Sequence, residues 1–430
     1  MVWVLGAALF LFGLLVSIGF HEMGHLVPAR LFDVKVTQWM VGFGPTAWSR
    51  RRGDTEYGIK WLPMGGYIRM VGMLPPGADA PPGRVRRWST GPFRSLVENA
   101  RDAAWEEVEP GDEERLFYRK RWWQRAIIMS GGPAMNLVLA FVFLSIALMG
   151  IGVTAPQPVV GSVQDCVIPV AQQRTVCADG DLPTPAAVAG LRPGDRLVSF
   201  DGRPVRGWDQ VTGLIRGSGG VPVTLGVRRG DRTIPVTLTP IATDRPSPTD
   251  PSTVERVGFL GVEPTVARVR SGPGTVGSSL WHETTATVRS LGGLPGRMVG
   301  VWRAAFGSQP RDLNGPVGMV GATRLGGDAI ASDAPVADRI ALFLELLASI
   351  NLAIGLFNLV PLLPLDGGHI GAALWEALRR AVARVLGRRA PGYVDIAKTL
   401  PLTYAIASVL VVMAALLAYA DIVNPVRLPG

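Results

Sequence analysis

Long apolar blocks dominate the pattern of hydrophobic and polar positions along this chain. Met1 to Phe20 holds no charged residue, and neither does Ile127 to Val153 or Leu400 to Ala420. Ile340 to Leu365 carries only Glu345. Roughly 20 apolar residues span the hydrocarbon core of a bilayer. The pattern therefore predicts four transmembrane helices, centred near Leu11, Val142, Ala353 and Val411. A secretory signal peptide is the weaker reading of the first block. It lacks a basic n-region, and His21-Glu22 stands where small residues would mark a cleavage site.

Basic flanks orient the helices. Arg30, Lys35 and Arg50 to Arg52 follow the first block, and Arg119 to Arg121 with Arg125 precede the second. Arg379-Arg380 and Arg388-Arg389 lie between the third and fourth. Short basic loops favour the cytoplasmic side. Both connections are expected in the cytoplasm, both termini outside, and the long segment between the second and third helices also outside.

The stretches between the blocks differ in character. Val34 to Val71 has short β-prone runs broken by Gly42-Phe43-Gly44-Pro45, Arg52-Gly53-Asp54 and Pro63-Met64-Gly65-Gly66. These are turn signals, and the run predicts a β-hairpin or small sheet associated with the membrane. Leu74 to Gly83 reads as a linker. Arg94 to Arg121 is charged and amphipathic and predicts interfacial helices leading into Trp122-Trp123. From Thr154 to about Pro264 the chain turns Val-, Gly- and Pro-rich. Helices are predicted at Pro185–Ala189 and Trp208–Ile215, with strands at Leu197–Phe200, Val221–Arg228 and Thr233–Thr239. Through "AGLRPGDRLVSFDG" this region resembles a PDZ domain in circularly permuted arrangement. Such domains capture an extended peptide at a sheet edge; a size filter is the alternative role. Asp244 to Asp250 reads as a linker, and Thr287 to Leu325 as an outer helix and loop.

Composition changes this picture little. Mean hydropathy is +0.27. The net charge of +9 does not indicate nucleic acid, because the arginines are spread over several loops and anionic lipid headgroups suffice as partners. The only two cysteines, Cys166 and Cys177, lie in the segment placed outside the cytoplasm. A disulfide fits an oxidising compartment, and two free thiols are the alternative.

The chemistry concentrates at His21-Glu22-Met23-Gly24-His25. His-Glu-x-x-His on a helix sets two histidines on one face, within reach of one metal ion. Zinc is the natural metal: it takes imidazoles and a carboxylate and keeps one position open. Glu22 sits about 100° round the helix, suited to take a proton from water and return it to a leaving amine. Ionisable groups at membrane depth are costly and mark function. A third ligand is expected in "NLVPLLPLDGGHIG", residues 358–371. The first and third helices both run inward, so Asp366 arrives at the depth of the histidines. His369 is the rival ligand. His282 reads as a surface histidine.

On these residues the chain resembles the site-2 protease family of intramembrane zinc metalloproteases. It is most similar to the bacterial branch that carries a PDZ domain and cleaves anti-sigma factors. The carrying motifs are His21 to His25, Asn358 through Gly367, Gly132-Pro133-Ala134-Met135-Asn136, Gly315 to Gly318, and the β-loop stretches Val41-Gly42-Phe43-Gly44 and Pro63-Met64-Gly65-Gly66-Tyr67. The resemblance implies one zinc per chain held by His21, His25 and Asp366, with Glu22 as catalytic base. It implies substrate contacts at Asn358, Pro361 and the β-loop glycines, with Phe43 beside them. The implied partners are single-pass membrane proteins, anti-sigma factors among them, the lipid bilayer, and a peptide C-terminus at the PDZ domain.

The expected architecture is a polytopic α-helical membrane protein with a membrane-associated β-sheet and one extracytoplasmic α+β PDZ domain. Its segments are the first helix with the zinc motif (1–33), the β-loop (34–73), a cytoplasmic linker with amphipathic helices (74–121) and the second helix (122–153). The PDZ domain (154–264), an outer helix and loop (265–336), the third helix (337–371), a cytoplasmic amphipathic segment (372–399) and the fourth helix (400–421) follow. The expected setting is the bacterial cytoplasmic membrane, with the active site near its inner side. Two rival functions are a non-catalytic PDZ scaffold and a metal transporter. The intact Glu22 weighs against the first, and the lack of internal repeats against the second.

Overall fold

The computed structural model describes residues 1–75, 97, 108–168, 172, 176–247, 253–307, 309–312, 315–389 and 391–426. They form two compact units, Met1–Ile151 with Ser271–Gly430, and Gly152–Arg270. Four helices are long and apolar enough to cross a membrane: Val2–Leu31, Trp122–Ile151, Val336–Asn358 and Ile396–Val423.

The first unit is a helical bundle with a β-sheet at one side. Helix α1 (Val2–Leu31) packs on α2 (Trp122–Ser145), whose last residues continue as a π-turn, Ile146–Ile151. Phe10 and Leu14 of α1 are buried with Ala322 and Leu347. Leu26, Ala29 and Ile128 form a second cluster with Val34, Val36 and Met70 of the sheet. Burying such side chains contributes about 1.5–3 kcal/mol each in water. Between helices in lipid, close packing replaces that driving force. Accordingly α1 and α2 meet at glycines: a β-carbon on Gly24 would overlap the Gly131 carbonyl, and one on Gly131 the Gly24 carbonyl.

Strands β1 (Val36–Arg52) and β2 (Thr55–Met70) are joined at Gly53-Asp54. Both bend. Gly42, Gly44 and Gly65 have φ of 93°, 82° and 85°, a region that favours glycine. Residues 38–41 therefore pair with 66–69 on one side and with 56–59 on the other, while 46–52 pair with 55–60. The two strands thus fold into one ribbon four segments wide, bent at the glycine clusters that the sequence marks as turns.

Several boundaries differ from expectation. The amphipathic helices expected over 94–121 are absent from 108–121, which holds only 3-10 turns at Glu113–Arg115 and Phe117–Arg119. Its backbone bonds outward instead: Phe117 N donates to Val71 O, Tyr118 N to Gly72 O, and Lys35 N to Arg115 O. Buried Lys35 fixes the segment by donating to Glu109 and Asp112, both at 2.6 Å. The rest of the expected linker and helices, 76–96 and 98–107, lies outside the described residues. The outer segment is not one helix and a loop but three helices: α3 (Pro273–Gly292), α4 (Leu294–Phe306) and α5 (Met319–Ala331). The third apolar block does not run on to 371. Helix α6 (Val336–Asn358) ends there, because Pro361 and Pro364 follow and exclude helical continuation. Helix α7 (Asp366–Val385) then begins afresh, and α8 (Leu400–Val423) closes the unit.

The second unit runs to Arg270, six residues past the expected end at 264. The reason is that its last strand, Val262–Val269, pairs with its first, Val153–Val163. A short strand, Arg196–Phe200, and the hairpin Val223–Arg229 with Arg232–Leu238 extend that sheet. The helix Trp208–Gly217 packs Val211 and Ile215 against Leu197, Leu225 and Val227. Ile241–Pro246 pairs with Val254–Phe259, so residues 244–246 of the expected linker are strand. Cys166 and Cys177 form a disulfide.

Candidate metal centre and active site

The centre lies wholly in the first unit and begins with helical spacing on α1. Ser17, His21 and His25 recur every fourth residue and face one way. All three are buried, as is Glu22, which is 7% exposed. The His25 Nδ1–H donates to the Ile128 carbonyl of α2 at 2.8 Å, which leaves Nε2 with a free lone pair and fixes the ring. His21 Nε2 lies 3.3 Å from His25 Nε2.

The third donor arrives from the other end of the chain. Asp366 opens α7, and its Oδ2 stands 3.4 Å from His21 Nε2 and 3.3 Å from His25 Nε2. Glycines make this approach possible. A β-carbon on Gly367 would overlap the Leu359 and Val360 carbonyls, and one on Gly368 would lie 2.6 Å from Leu363 N. Charge holds α7 against α2: Arg125 Nη2 lies 2.7 Å from Glu376 Oε1, Arg380 also reaches Glu376 at 2.8 Å, and Glu376 is fully buried.

These donors fit one metal ion. A tetrahedral zinc about 2.0–2.1 Å from its ligands sets them about 3.3–3.4 Å apart, which matches the triangle of His21, His25 and Asp366. The space beside the triangle is kept open by Gly132 of α2. A β-carbon there would overlap His25 Nε2 and lie 2.7 Å from His21 Nε2. Asp366 Oδ2 is buried without a hydrogen bond, a costly state for a carboxylate unless a cation sits with it. Among the described residues, the group able to hold an ion is His21, His25 and Asp366. His369, the rival, lines the same cavity but is not in that group. His282 is exposed on α3.

The donors open into a cavity of about 370 Å³. Glu22, Gly65, Gly66 and Asn358 line it, so the structure brings these four predicted residues to the histidines. Pro361, Gly42 and Phe43 are not on its wall. Phe43 instead stacks on Tyr67, with ring centroids 6.0 Å apart, and Gly42 packs on the Leu62 carbonyl. Gly66 is pressed close to the site: a β-carbon there would lie 2.9 Å from Ile18 and 3.0 Å from Glu22. Ser17, Tyr67, Met129 and Asn136 also line the cavity, although none of them is among the predicted site residues. The four-residue spacing of Ser17 to His21 was the available signal for Ser17. Tyr67 and Asn136 end motifs that carry the resemblance, and Met129 has no such signal.

An apolar bundle that buries two imidazoles and a carboxylate around one gap is the architecture of a membrane metalloenzyme. The model of Peptidase family M50 matches residues 9–400. Zinc metalloprotease Rip1 of Mycobacterium tuberculosis is 33% identical over the whole of both chains. Zinc metalloprotease Rip1 of Mycolicibacterium smegmatis is 31% identical, again over the whole of both. Metalloprotease MmpA of Caulobacter vibrioides is 29% identical over 87% of each. The chain belongs to peptidase family M50, the site-2 protease family, and is a membrane-bound metalloendopeptidase.

Proposed function

We propose that this chain is an intramembrane zinc endopeptidase that hydrolyses peptide bonds within membrane-spanning segments of single-pass proteins. The observation that carries the reading is the 3.3–3.4 Å triangle of His21, His25 and Asp366 beside a buried Glu22 on an otherwise apolar helix. The two histidines and Asp366 hold zinc, the metal in the names of the mycobacterial relatives. Zinc supplies Lewis acidity, lowering the pKa of water and polarising the scissile carbonyl. Glu22 takes the proton from the attacking water and passes it to the leaving amine. Ile128 O keeps the His25 ring in its ligating tautomer.

A transmembrane helix offers no extended scissile bond and must unwind first. Its freed amides then need partners inside the protein. Among the described residues, 66–69 pair with 38–41 on one side only, and Gly66 lies against Glu22. A substrate strand added to that edge exchanges helical hydrogen bonds for sheet ones beside the base. Asn358 faces the same cavity. The exposed Phe43, Trp48, Trp61, Leu62 and Met64 suit a loop tip embedded in lipid.

The unit Gly152–Arg270 is read as the PDZ domain. Trp208, Thr212 and Ile215 flank a groove of about 310 Å³ opposite Phe259 to Val262, where a peptide end or a size limit acts on substrates. The disulfide suits an extracytoplasmic position, with both termini outside and the metal centre toward the inner face of a bacterial cytoplasmic membrane. Anti-sigma factors are the substrate class that the family resemblance suggests.

The test is a reconstituted single-pass substrate with wild type and Glu22→Gln. The variant is expected to keep its fold and zinc and to lose cleavage, and to retain bound substrates identifiable by mass spectrometry. Cleavage at the wild-type rate refutes the mechanism, and a scaffold or transporter reading then gains.

A further inference from the structure

Asn136 has no role in the chemistry described above, yet its position is telling. It lies one turn after Gly132 on α2, at i+4, so both residues share a face. Gly132 is the position whose missing β-carbon leaves room beside His21 and His25. Asn136 therefore stands one turn along from the metal centre, and it lines the same cavity. It packs against α6 at Gly355, where an added β-carbon would lie 3.2 Å from Asn136 Cβ. Asn358, the next residue of that face, also lines the cavity.

The residue is 1% exposed, and its Oδ1 is buried without a hydrogen-bond partner. Asn424, which has a structural task in this unit, looks different. Asn424 Nδ2 donates to the Ala304 and Gln309 carbonyls, both at 3.1 Å. Asn351 shares the unbonded Oδ1, but its Nδ2 ties α6 to α1 by donating to Ser17 Oγ at 3.0 Å, and Asn136, not Asn351, lines the cavity beside the metal centre. A carboxamide set in an apolar bundle without a bonded acceptor weakens the fold relative to leucine, its near-isostere. Polar groups kept under that penalty beside a reaction centre are expected to be satisfied by what binds there.

We infer that Asn136 is a substrate-positioning residue whose carboxamide bonds the main chain of the unwound peptide next to the scissile bond. The ligand chemistry is an extended backbone, whose N–H groups lose their helical acceptors on unwinding. Oδ1 accepts one such N–H, and Nδ2 can donate to a carbonyl on the same strand. The inference rests on the zinc-endopeptidase reading.

The test compares wild type, Asn136→Leu and Glu22→Gln as full chains in detergent, each with the same reconstituted single-pass substrate. Zinc content, thermal stability, kcat and KM are read together. Asn136→Leu is expected to keep wild-type zinc, to melt at the same or a higher temperature, and to lose about 100-fold in kcat/KM, the scale set by misplaced reacting groups. Should Asn136→Leu not accumulate, Asn136→Ala reads the same quantities. Wild-type kcat/KM in the Asn136 variant, with Glu22→Gln inactive, overturns this inference and leaves the peptidase reading standing. A lower melting temperature with loss of zinc also overturns it, because Asn136 is then structural. Cleavage by Glu22→Gln strikes the peptidase reading itself.

Discussion

His25 Nε2 and Asp366 Oδ2 lie 3.3 Å apart, although one residue belongs to α1 and the other opens α7, more than 300 residues further along the chain. Two features of α2 make that meeting possible. Ile128 O orients the His25 ring, and Arg125, less than one turn earlier, anchors the helix that carries Asp366. Helix α2 therefore acts as the common support for both halves of the centre.

Gly132→Ala is expected to abolish tight metal binding. Its β-carbon would overlap His25 Nε2 and crowd His21 Nε2, and no side-chain rotation removes a β-carbon. Metal analysis of the purified variant checks this, with Gly150→Ala as control, whose β-carbon would meet nothing nearer than 3.9 Å.

Breaking the buried pair of Arg125 and Glu376 on one side leaves an uncompensated charge. Glu376→Ala is expected to destabilise the chain by about 3–5 kcal/mol, whereas replacing both partners with apolar residues of similar size is expected to cost far less. Unfolding in detergent distinguishes the two. The single variant is also expected to weaken zinc binding, because α7 carries Asp366.

The second unit carries its own pH dependence. Asp195 is buried and accepts from Arg229 Nε and a second guanidinium nitrogen, each at 2.7 Å. The Arg229 guanidinium holds its carboxyl below the usual aspartate range, and the Arg192 backbone N–H adds to the effect. A depressed folded value means the stabilisation is present above the unfolded pKa of about 3.9. It is lost as pH falls through the folded value. Arg229→Met is expected to move acid unfolding of this unit to higher pH, followed by near-ultraviolet circular dichroism of the full chain.

Much of the centre was legible because its signals are local. The spacing of His21 and His25 requires only a helix, and Pro361 and Pro364 announce the break that lets Asp366 turn inward. The bends at Gly42 to Pro45 and at Pro63 to Gly66 were marked by their own residues. Other features depend on contacts between distant segments. Residues 108–121 have an amphipathic pattern, yet backbone bonds to Lys35, Val71 and Gly72 hold them in turns. The helices α3 to α5 are rich in Gly and Thr and lack an apolar block, so their number was hidden. Gly132 and Asn136 belong to a visible motif, but the void beside one and the unbonded oxygen of the other exist only once α1, α2 and α6 are packed.

Zinc analysis and X-ray absorption on the purified chain, wild type beside Asp366→Ala, decide whether His21, His25 and Asp366 hold the metal. The expected result is one zinc per wild-type chain, with two imidazole nitrogens and a carboxylate oxygen about 2.0–2.2 Å from the metal, and loss of tight zinc binding in the variant. Zinc retained by Asp366→Ala at one per chain, in an unchanged ligand shell, would contradict it.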